Sequence, residues 1–217
     1  ISKKYEKKIC EIGNIIKKKF INLSEKNKAN KASKENNRLN LLVLGGSQAA
    51  KVFAEILPSI FQKCIKKKIH LKVYQHCRPQ QNKQLSLFYK NAKIDFEIFN
   101  FSDNLIEYFY RADLAITRSG SSMLAELSNA NIPFISIPLP SSADNHQLKN
   151  AIYYEKKNFS FLIEEKDLNN KLFYLIKSIY ENRHLLDKIK FNQRQFSDKN
   201  VFNNINKELN KIFNEKN

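Results

Sequence analysis

Residues 112–151 read ADLAITRSGSSMLAELSNANIPFISIPLPSSADNHQLKNA. A short apolar run at 113–117 is followed by a turn of small residues and then by apolar residues at helical spacing. A second apolar run at 133–138 leads through a polar loop into another helical segment. The stretch therefore predicts strand, turn, helix, strand, loop and helix, which is the repeating unit of a parallel α/β sheet.

The turn after the first of these strands has the composition of an anion site. A small-residue turn before a helix favours anions, because backbone N–H groups and the positive end of the helix dipole point at the ligand. Glu126 lies one to two turns into the helix, where its carboxylate can accept hydrogen bonds from a diol. The combination indicates a nucleotide, and the nearby amides and hydroxyls indicate a nucleotide sugar. The turn is Arg118, Ser119, Gly120, Ser121 and Ser122, and the next loop ends in Asp144, Asn145, His146 and Gln147.

Outward from this stretch the chain alternates strands and helices with short connections. This pattern predicts the fold class α/β, a Rossmann-like parallel sheet with helices on both faces. Ligands in such sheets bind at the carboxyl edge of the strands, where the turns at 45–48, 102–104, 118–122 and 140–147 are expected to line one crevice. Predicted strands are 39–44, 70–75, 94–101, 113–117, 133–138 and 159–163; predicted helices begin near 49 and 122 and span 80–91, 104–111, 144–157, 168–181, 183–196 and 201–213.

Three local features add expectations to this outline. Pro58 lies inside the helix that begins near Ala49 and is expected to bend or divide it. Asp103 is expected to cap the helix at 104–111. The chain has only four glycines, Gly13, Gly45, Gly46 and Gly120, and we expect them to mark backbone positions that tolerate no other residue.

The charge and composition limit the class of protein. The 217 residues have a net charge of +17, with 38 Lys and Arg against 21 Asp and Glu. The excess is nearly all Lys and is spread along the chain, while Arg, the residue expected for base readout, is scarce. No zinc-finger spacing or RNP-like motif is present in the sequence, so no nucleic-acid partner is predicted. No apolar run approaches the roughly 20 residues of a membrane-spanning helix, and the first residues, ISKKYEKKICEIG, lack the apolar segment of a signal peptide.

Three cysteines, Cys10, Cys64 and Cys77, are far apart and odd in number, which predicts free thiols in a reducing compartment. His76 is adjacent to Cys77, but neighbours at the end of a strand are expected to point to opposite faces. A cysteine nucleophile is therefore not predicted.

Five motifs in a fixed order resemble the C-terminal half of the MurG-type glycosyltransferases of family 28. They are GGSQ from Gly45, RSG from Arg118, AEL from Ala125, IPFISIPLP from Ile132 and DNHQLKNA from Asp144. The resemblance implies one half of a GT-B enzyme, in which two Rossmann-like domains face a cleft. Residues 39–217 would form the UDP-N-acetylglucosamine (UDP-GlcNAc) domain, and residues 1–38 an interdomain linker whose part 24–38 lacks apolar residues larger than Ala. The N-terminal acceptor domain is expected to be absent, so the chain would be a separate subunit or a piece of a longer protein.

The activity that the resemblance implies is transfer of GlcNAc from UDP-GlcNAc to the undecaprenyl-linked acceptor lipid I, giving lipid II for peptidoglycan synthesis. The reaction would invert the anomeric carbon without a metal or other cofactor, and no D-x-D pair stands out in the sequence. No catalytic residue is expected in this half. The enzyme would lie at the cytoplasmic face of the membrane, in contact with its anionic surface. The acceptor would be bound by the missing domain or a partner chain.

The resemblance also assigns residues to the donor. Ser121 and Ser122 would hold phosphate, Glu126 the ribose hydroxyls, and Gln147 the GlcNAc hydroxyls, with His146 beside it but not acting as the base. Ser47 would face the diphosphate and sugar, and Ser102 would contact uracil through its backbone. Lys17 would replace the arginine of the family's GNPVR motif, keeping the charge but losing the bidentate fork. The predicted donor-binding residues are Lys17, Ser47, Ser102, Ser121, Ser122, Met123, Leu124, Ala125, Glu126 and Gln147.

Alternatives stay open at this point. One is the soluble subunit of another polyprenyl-linked GlcNAc transferase, of the dolichol type. Another is a non-catalytic basic module that binds membrane or RNA on the same fold. Arg118 is either a ligand contact or a structural tie to a neighbouring strand, and Asp144 and Asn150 are expected to be structural.

Overall fold

A computed structural model describes residues 9–10, 12–17, 20, 23, 37–45, 49–100, 105–195, 198 and 201–214. Six strands form one parallel sheet: β1 (Leu39–Leu44), β2 (Leu71–His76), β3 (Asp95–Phe99), β4 (Leu114–Arg118), β5 (Phe134–Ile137) and β6 (Ser160–Leu162). The helices are α1 (Ala49–Lys66), α2 (Asn82–Asn91), α3 (Leu105–Arg111), α4 (Ser121–Asn129), α5 (His146–Lys156), α6 (Leu168–Glu181), α7 (His184–Gln195) and α8 (Val201–Asn214). The predicted α/β class is confirmed. The predicted cap, Asp103, lies outside the described residues.

The strand order is β3-β2-β1-β4-β5-β6. From the central strand β1 the chain builds outward through β2 to β3, and it then returns to the other side of β1 to form β4. The connections diverge between β1 and β4, so this is the point where a parallel sheet leaves a crevice at its carboxyl edge.

Both faces of β1 are buried. Leu39, Leu41 and Val43 belong to one core, which also includes side chains of α1, α2 and α6. Leu42 and Leu44 belong to a second core on the opposite face, with side chains of α3, α4 and α5. All six residues of β1, including Asn40, are thus buried, as expected for a central parallel strand.

Helix α1 runs without interruption through Pro58. Of the two predicted effects of this proline, bending or dividing the helix, the division is therefore wrong. A proline in a helix interior costs about 3 kcal/mol. Phe53, Leu57 and Phe61 are fully buried on one side of α1, and burial of each such side chain contributes about 1.5–3 kcal/mol. Packing against the sheet therefore outweighs the proline.

Part of the predicted linker contributes to the core. Ile16, Phe20 and Leu23 are 5%, 2% and 1% exposed, and the ring of Phe20 lies 5.2 Å from that of Phe109. The division at residue 38 stays a prediction. Within the described ranges, no helix has the length and apolar character needed to cross a membrane.

Candidate functional site

A cavity of about 630 Å³ opens at the carboxyl edge of the sheet. It lies where β1, β2, β3 and β4 end and where α4 and α5 begin, which is the crevice that the strand order creates. Its volume is within the range of about 300–1,000 Å³ that small-molecule sites occupy. Residues in its wall include Gly45, His76, Phe99, Arg118, Met123 and Gln147.

The N-terminus of α4 faces solvent beside this cavity. Gly120 is the N-cap residue and also lines the cavity, and among the described residues no side chain caps the helix. The Leu124 amide donates to the Gly120 carbonyl at 3.1 Å, so the amides of residues 121–123 precede the first intrahelical bond. Ser121 and Ser122 are exposed. This arrangement offers N–H groups and hydroxyls to an anion.

Arg118 is a structural residue at the base of this turn. Its guanidinium is buried and donates to the carbonyl oxygens of Pro138 (3.2 Å) and Ile137 (3.4 Å). It also forms an ion pair with Glu165 and lies over the Phe53 ring, 4.8 Å from the centroid. The alternative that Arg118 ties the turn to a neighbouring strand is confirmed, because the two carbonyls lie at the end of β5.

Hydrogen bonds from α5 fix the loop on the far side of the cavity. The side-chain oxygen of Gln147 accepts from the Leu139 amide at 3.0 Å, while its backbone N–H donates to Ser142 Oγ at 3.4 Å. Asn150 Nδ2 donates to the carbonyl of Ser119 at 3.0 Å, which confirms its structural role. Gln147 therefore holds the loop with its oxygen and lines the cavity at the same time.

The chain matches the glycosyltransferase family 28 C-terminal domain over residues 40–209. It belongs to this family. The resemblance to MurG-type enzymes is therefore confirmed at the level of the family.

This family 28 domain is similar to two curated relatives and to one solved structure. A protein of Pelagibacter ubique is 34% identical over 213 residues, covering 98% of the chain and 58% of the relative. A protein of Rickettsia canadensis is 34% identical, covering 83% and 51%. Both are named UDP-N-acetylglucosamine--N-acetylmuramyl-(pentapeptide) pyrophosphoryl-undecaprenol N-acetylglucosamine transferase. The crystal structure of Acinetobacter baumannii MurG has the same fold, with a TM-score of 0.71 at 24% identity over 84% of this chain and 55% of its own. The chain thus spans little more than half the length of these proteins.

The predicted donor residues on α4 divide between the cavity and the core. Met123 lines the cavity, and Glu126 is half-buried one turn further along the helix. Leu124 and Ala125 are fully buried and are not among the residues that line the cavity, and their place among the donor-binding residues stays a prediction. A helix turns consecutive residues to different faces, and these two positions face inward.

Other predicted donor residues lie off α4. Lys17 is exposed and follows Ile16, which packs on Ala125 of α4, so the segment 12–17 lies against this helix. Ser47 and Ser102 fall outside the described residues. Gly45, two residues before Ser47, and Leu105, three residues after Ser102, both line the cavity.

His76 and Cys77 were not predicted as site residues, yet both line the cavity, so strand alternation did not separate them. Strand β2 ends at His76, and the alternation of side chains ends with it. The Cys77 thiol donates to Asn82 Oδ1 at 3.1 Å, and burial raises its pKa, which does not suit a nucleophile. The prediction of free cysteines is confirmed for all three.

The opposite end of α4 is closed by a buried carboxylate. Asp198 accepts from the Asn14 amide at 2.9 Å, from Asn14 Nδ2 at 3.2 Å and from Asn129 Nδ2 at 2.7 Å. The Asp198 amide donates back to Asn129 Oδ1 at 3.0 Å. We refer to Asn14, Asn129 and Asp198 as the Asp198 cluster.

The two described glycines with a defined environment differ. Gly13 has φ +95°, and a Cβ there would lie 2.6 Å from Asp198 Oδ1, so the expectation that only glycine fits is confirmed. Gly120 has φ −67°, and a Cβ there would meet nothing within 4 Å. The same expectation is wrong for Gly120, because this turn needs no left-handed residue.

Proposed function

We propose that this family 28 domain binds UDP-GlcNAc and forms the donor half of a transferase. The acceptor would be the undecaprenyl-pyrophosphoryl MurNAc-pentapeptide, lipid I, and the product lipid II. The names of the two relatives support this substrate pair. Because the chain spans 58% and 51% of those relatives, the acceptor would be held by another domain or a partner chain.

The observation on which the proposal rests is the uncapped N-terminus of α4 beside the cavity. A diphosphate would accept hydrogen bonds from the amides of this first turn and from Ser121 and Ser122. Glu126, one turn along, would accept from the ribose hydroxyls. Gln147, in the opposite wall, would bind the GlcNAc hydroxyls with its NH₂ group, because its oxygen already accepts from Leu139.

Further contacts would complete the donor site. Lys17 would supply a cation to the diphosphate from the segment that packs against α4. Ser47 would face the diphosphate and the sugar, and Ser102 would contact the uracil through its backbone, as the resemblance implies.

In the reaction, the acceptor hydroxyl would attack the anomeric carbon while the bond from that carbon to the UDP oxygen breaks. UDP would leave with the bonding electron pair, and the configuration at the carbon would invert. The negative charge that develops on the diphosphate would be stabilised by the α4 amides, which are preorganised donors, and by the positive charge of Lys17. The base that takes the hydroxyl proton would come from the acceptor half, and His146 would not be that base.

The excess of lysine would hold the enzyme at an anionic membrane surface, as a peripheral protein on the cytoplasmic face. Lys66, Lys67 and Lys68 are exposed together at the end of α1, and each lysine near such a surface contributes about 1 kcal/mol. Sedimentation with phosphatidylglycerol vesicles should fall steeply with salt. Equal sedimentation with neutral vesicles, or none at low salt, would contradict this part of the proposal.

Isothermal titration of the chain with UDP-GlcNAc, and in competition with UDP-glucose, tests the donor assignment. We expect binding that prefers UDP-GlcNAc. Glu126→Ala should weaken it about tenfold or more, because a charged acceptor to the ribose is lost. Glu155→Ala is the matched control, since Glu155 is an exposed carboxylate on α5.

Two results would contradict the donor assignment. One is a folded chain that does not bind UDP-GlcNAc. The other is an equal affinity of Glu126→Ala and Glu155→Ala.

A further inference from the structure

A histidine in the wall of the cavity fixes the backbone at the end of β1. His76 Nδ1 lies 2.6 Å from the carbonyl oxygen of Gly45. Because a carbonyl oxygen only accepts, Nδ1 must be the protonated nitrogen that donates. The neutral ring then has its acceptor nitrogen at Nε2. No other hydrogen bond to this imidazole is found within the described part of the chain.

The hydrogen bond from His76 links β2 to β1 just beyond the last backbone pairing of these two strands. The pairing of β1 with β2 ends at Val43 and Gln75. Beyond that pair, the His76 side chain takes the place of a backbone partner for Gly45. Gly45 follows the last residue of β1 and lines the cavity, so the bond fixes a backbone position in the cavity wall.

Aromatic packing holds the imidazole in this orientation. The ring of Phe99 lies 5.7 Å from that of His76, and Phe99 stacks on Tyr108 with centroids 3.9 Å apart and an interplanar angle of 12°. The Tyr108 hydroxyl donates to Glu97 Oε1 at 3.0 Å. The column fixes the imidazole before any ligand arrives, so its bond to Gly45 needs no reorganisation on binding.

We propose that His76 is a positioning residue of the donor site, acting through the Nδ1–H bond that fixes the Gly45 carbonyl in the wall of the cavity. The inference rests on the proposed function, since it assigns His76 to the binding of UDP-GlcNAc. It does not make His76 a catalytic residue, because the bond goes to the backbone and not to the reacting atoms.

Two amide substitutions separate the two ring nitrogens. In His76→Asn, the side-chain NH₂ can occupy the position of Nδ1 and donate to Gly45. In His76→Gln, the longer side chain places its NH₂ near the position of Nε2. We expect His76→Ala and His76→Gln to weaken UDP-GlcNAc binding about fivefold to tenfold, the effect of one lost hydrogen bond. His76→Asn should stay within about twofold of the unchanged chain.

His70→Asn is the matched control, because His70 is exposed just before the other end of the same strand. Thermal unfolding of each variant would show that it is folded before the titration. Rescue by Gln rather than Asn would overturn the proposal and point to a contact through Nε2. Equal affinities of all four variants and the unchanged chain would also overturn it.

A second measurement, the tautomer of the His76 imidazole, does not require bound UDP-GlcNAc. The chain has four histidines, so a long-range ¹H–¹⁵N spectrum resolves each imidazole and identifies its tautomer. We expect two rings protonated at Nδ1, those of His76 and of His146, whose Nδ1 lies 2.8 Å from the carbonyl oxygen of Ala143. Only the His76 signal should disappear in His76→Asn. A His76 protonated at Nε2 alone would overturn the proposal. If the unchanged chain does not bind UDP-GlcNAc but shows the Nδ1–H tautomer, the proposed function fails while the bond to Gly45 stands.

Discussion

The two ends of α4 differ in where their polar groups find hydrogen-bond partners. At the C-terminal end, Asn129 and the chain entering at Asn14 are joined by the buried carboxylate of Asp198. At the N-terminal end, no side chain of the described residues caps the helix, and Ser121 and Ser122 are exposed beside the cavity. Polar groups are satisfied within the chain at one end and are left for a ligand at the other.

The difference shows how one short helix serves both folding and binding. An unpaired buried donor costs about 1–3 kcal/mol, so the closed end adds to stability. An exposed helix N-terminus is hydrated when it is empty and can exchange that water for an anion. Substitutions at the closed end should therefore change stability with little effect on affinity, while those at the open end should do the reverse.

The largest effect is expected at the centre of the closed end. Asp198→Ala removes the acceptor of three hydrogen bonds, from the Asn14 amide, Asn14 Nδ2 and Asn129 Nδ2. We expect the free energy of unfolding, measured in urea, to fall by about 3 kcal/mol. The affinity of the folded protein for UDP-GlcNAc should stay within about twofold. Asp187→Ala, at an exposed carboxylate on α7, is the control, and an equal loss in both variants would remove the distinction between the two ends.

The next effect compares one substitution at both ends. Gly13→Ala forces φ +95° on an alanine and places its Cβ 2.6 Å from Asp198 Oδ1, which should cost about 2 kcal/mol of stability. Gly120→Ala adds a methyl group to open space at φ −67°. Its stability should change by less than about 0.5 kcal/mol, because the reduced freedom of the unfolded chain is offset by the poor N-cap preference of alanine. Urea unfolding of the pair measures both. Similar changes in sign and size would show that backbone conformation does not distinguish the two positions.

A smaller change at the open end should separate stability from affinity. Ser122→Asp places a carboxylate in the first turn of α4, where it interacts favourably with the helix dipole and adds about 0.3–1 kcal/mol. The same charge should repel the diphosphate and weaken UDP-GlcNAc binding about tenfold or more. Ser122→Asn, of equal size and no charge, is the control. A loss of stability, or an unchanged affinity, would contradict an anion site at this turn.

The smallest effect is on thiol reactivity. Burial raises the pKa of Cys77 and raises that of Cys64 to about 12, while Cys10 is exposed. At pH 8, we expect a colorimetric disulfide reagent to modify Cys10 rapidly and the other two only slowly, because the thiolate is the reactive form. UDP-GlcNAc should slow Cys77 further, since this residue lines the cavity, and leave the rate at Cys64 unchanged. Cys77→Ser identifies the protected thiol, and a donor effect that survives this change would contradict the cavity assignment.

Most elements could be predicted from the sequence because their signals are local. The alternation of apolar runs with amphipathic segments placed each predicted strand within two residues of its observed bounds, and 39–44 and 168–181 were predicted without error. These signals depend on neighbours a few residues apart, which a sequence displays directly. Pro58 misled one expectation, because its local cost is outweighed by packing that involves distant residues.

The side-chain pairs that shape the site could not be predicted in the same way. Arg118 and Glu165 are 47 residues apart, His76 and Gly45 are 31 apart, and Asn14 and Asp198 are 184 apart. No local pattern couples such positions. The resemblance to the family identified the turn before α4, but it predicted that every residue from 121 to 126 binds the donor. The helical period turns the side chains of Leu124 and Ala125 into the core.

The Asp198 cluster also has a mechanical consequence. It joins the segment around Asn14 to the residue Asp198 before α8, 184 positions further along the chain. A tension applied across these two segments would load a few side-chain hydrogen bonds in sequence before it reached the sheet. The hydrogen bonds of the cluster would therefore break first, and strands β1 to β6 would bear the force only after the cluster had opened.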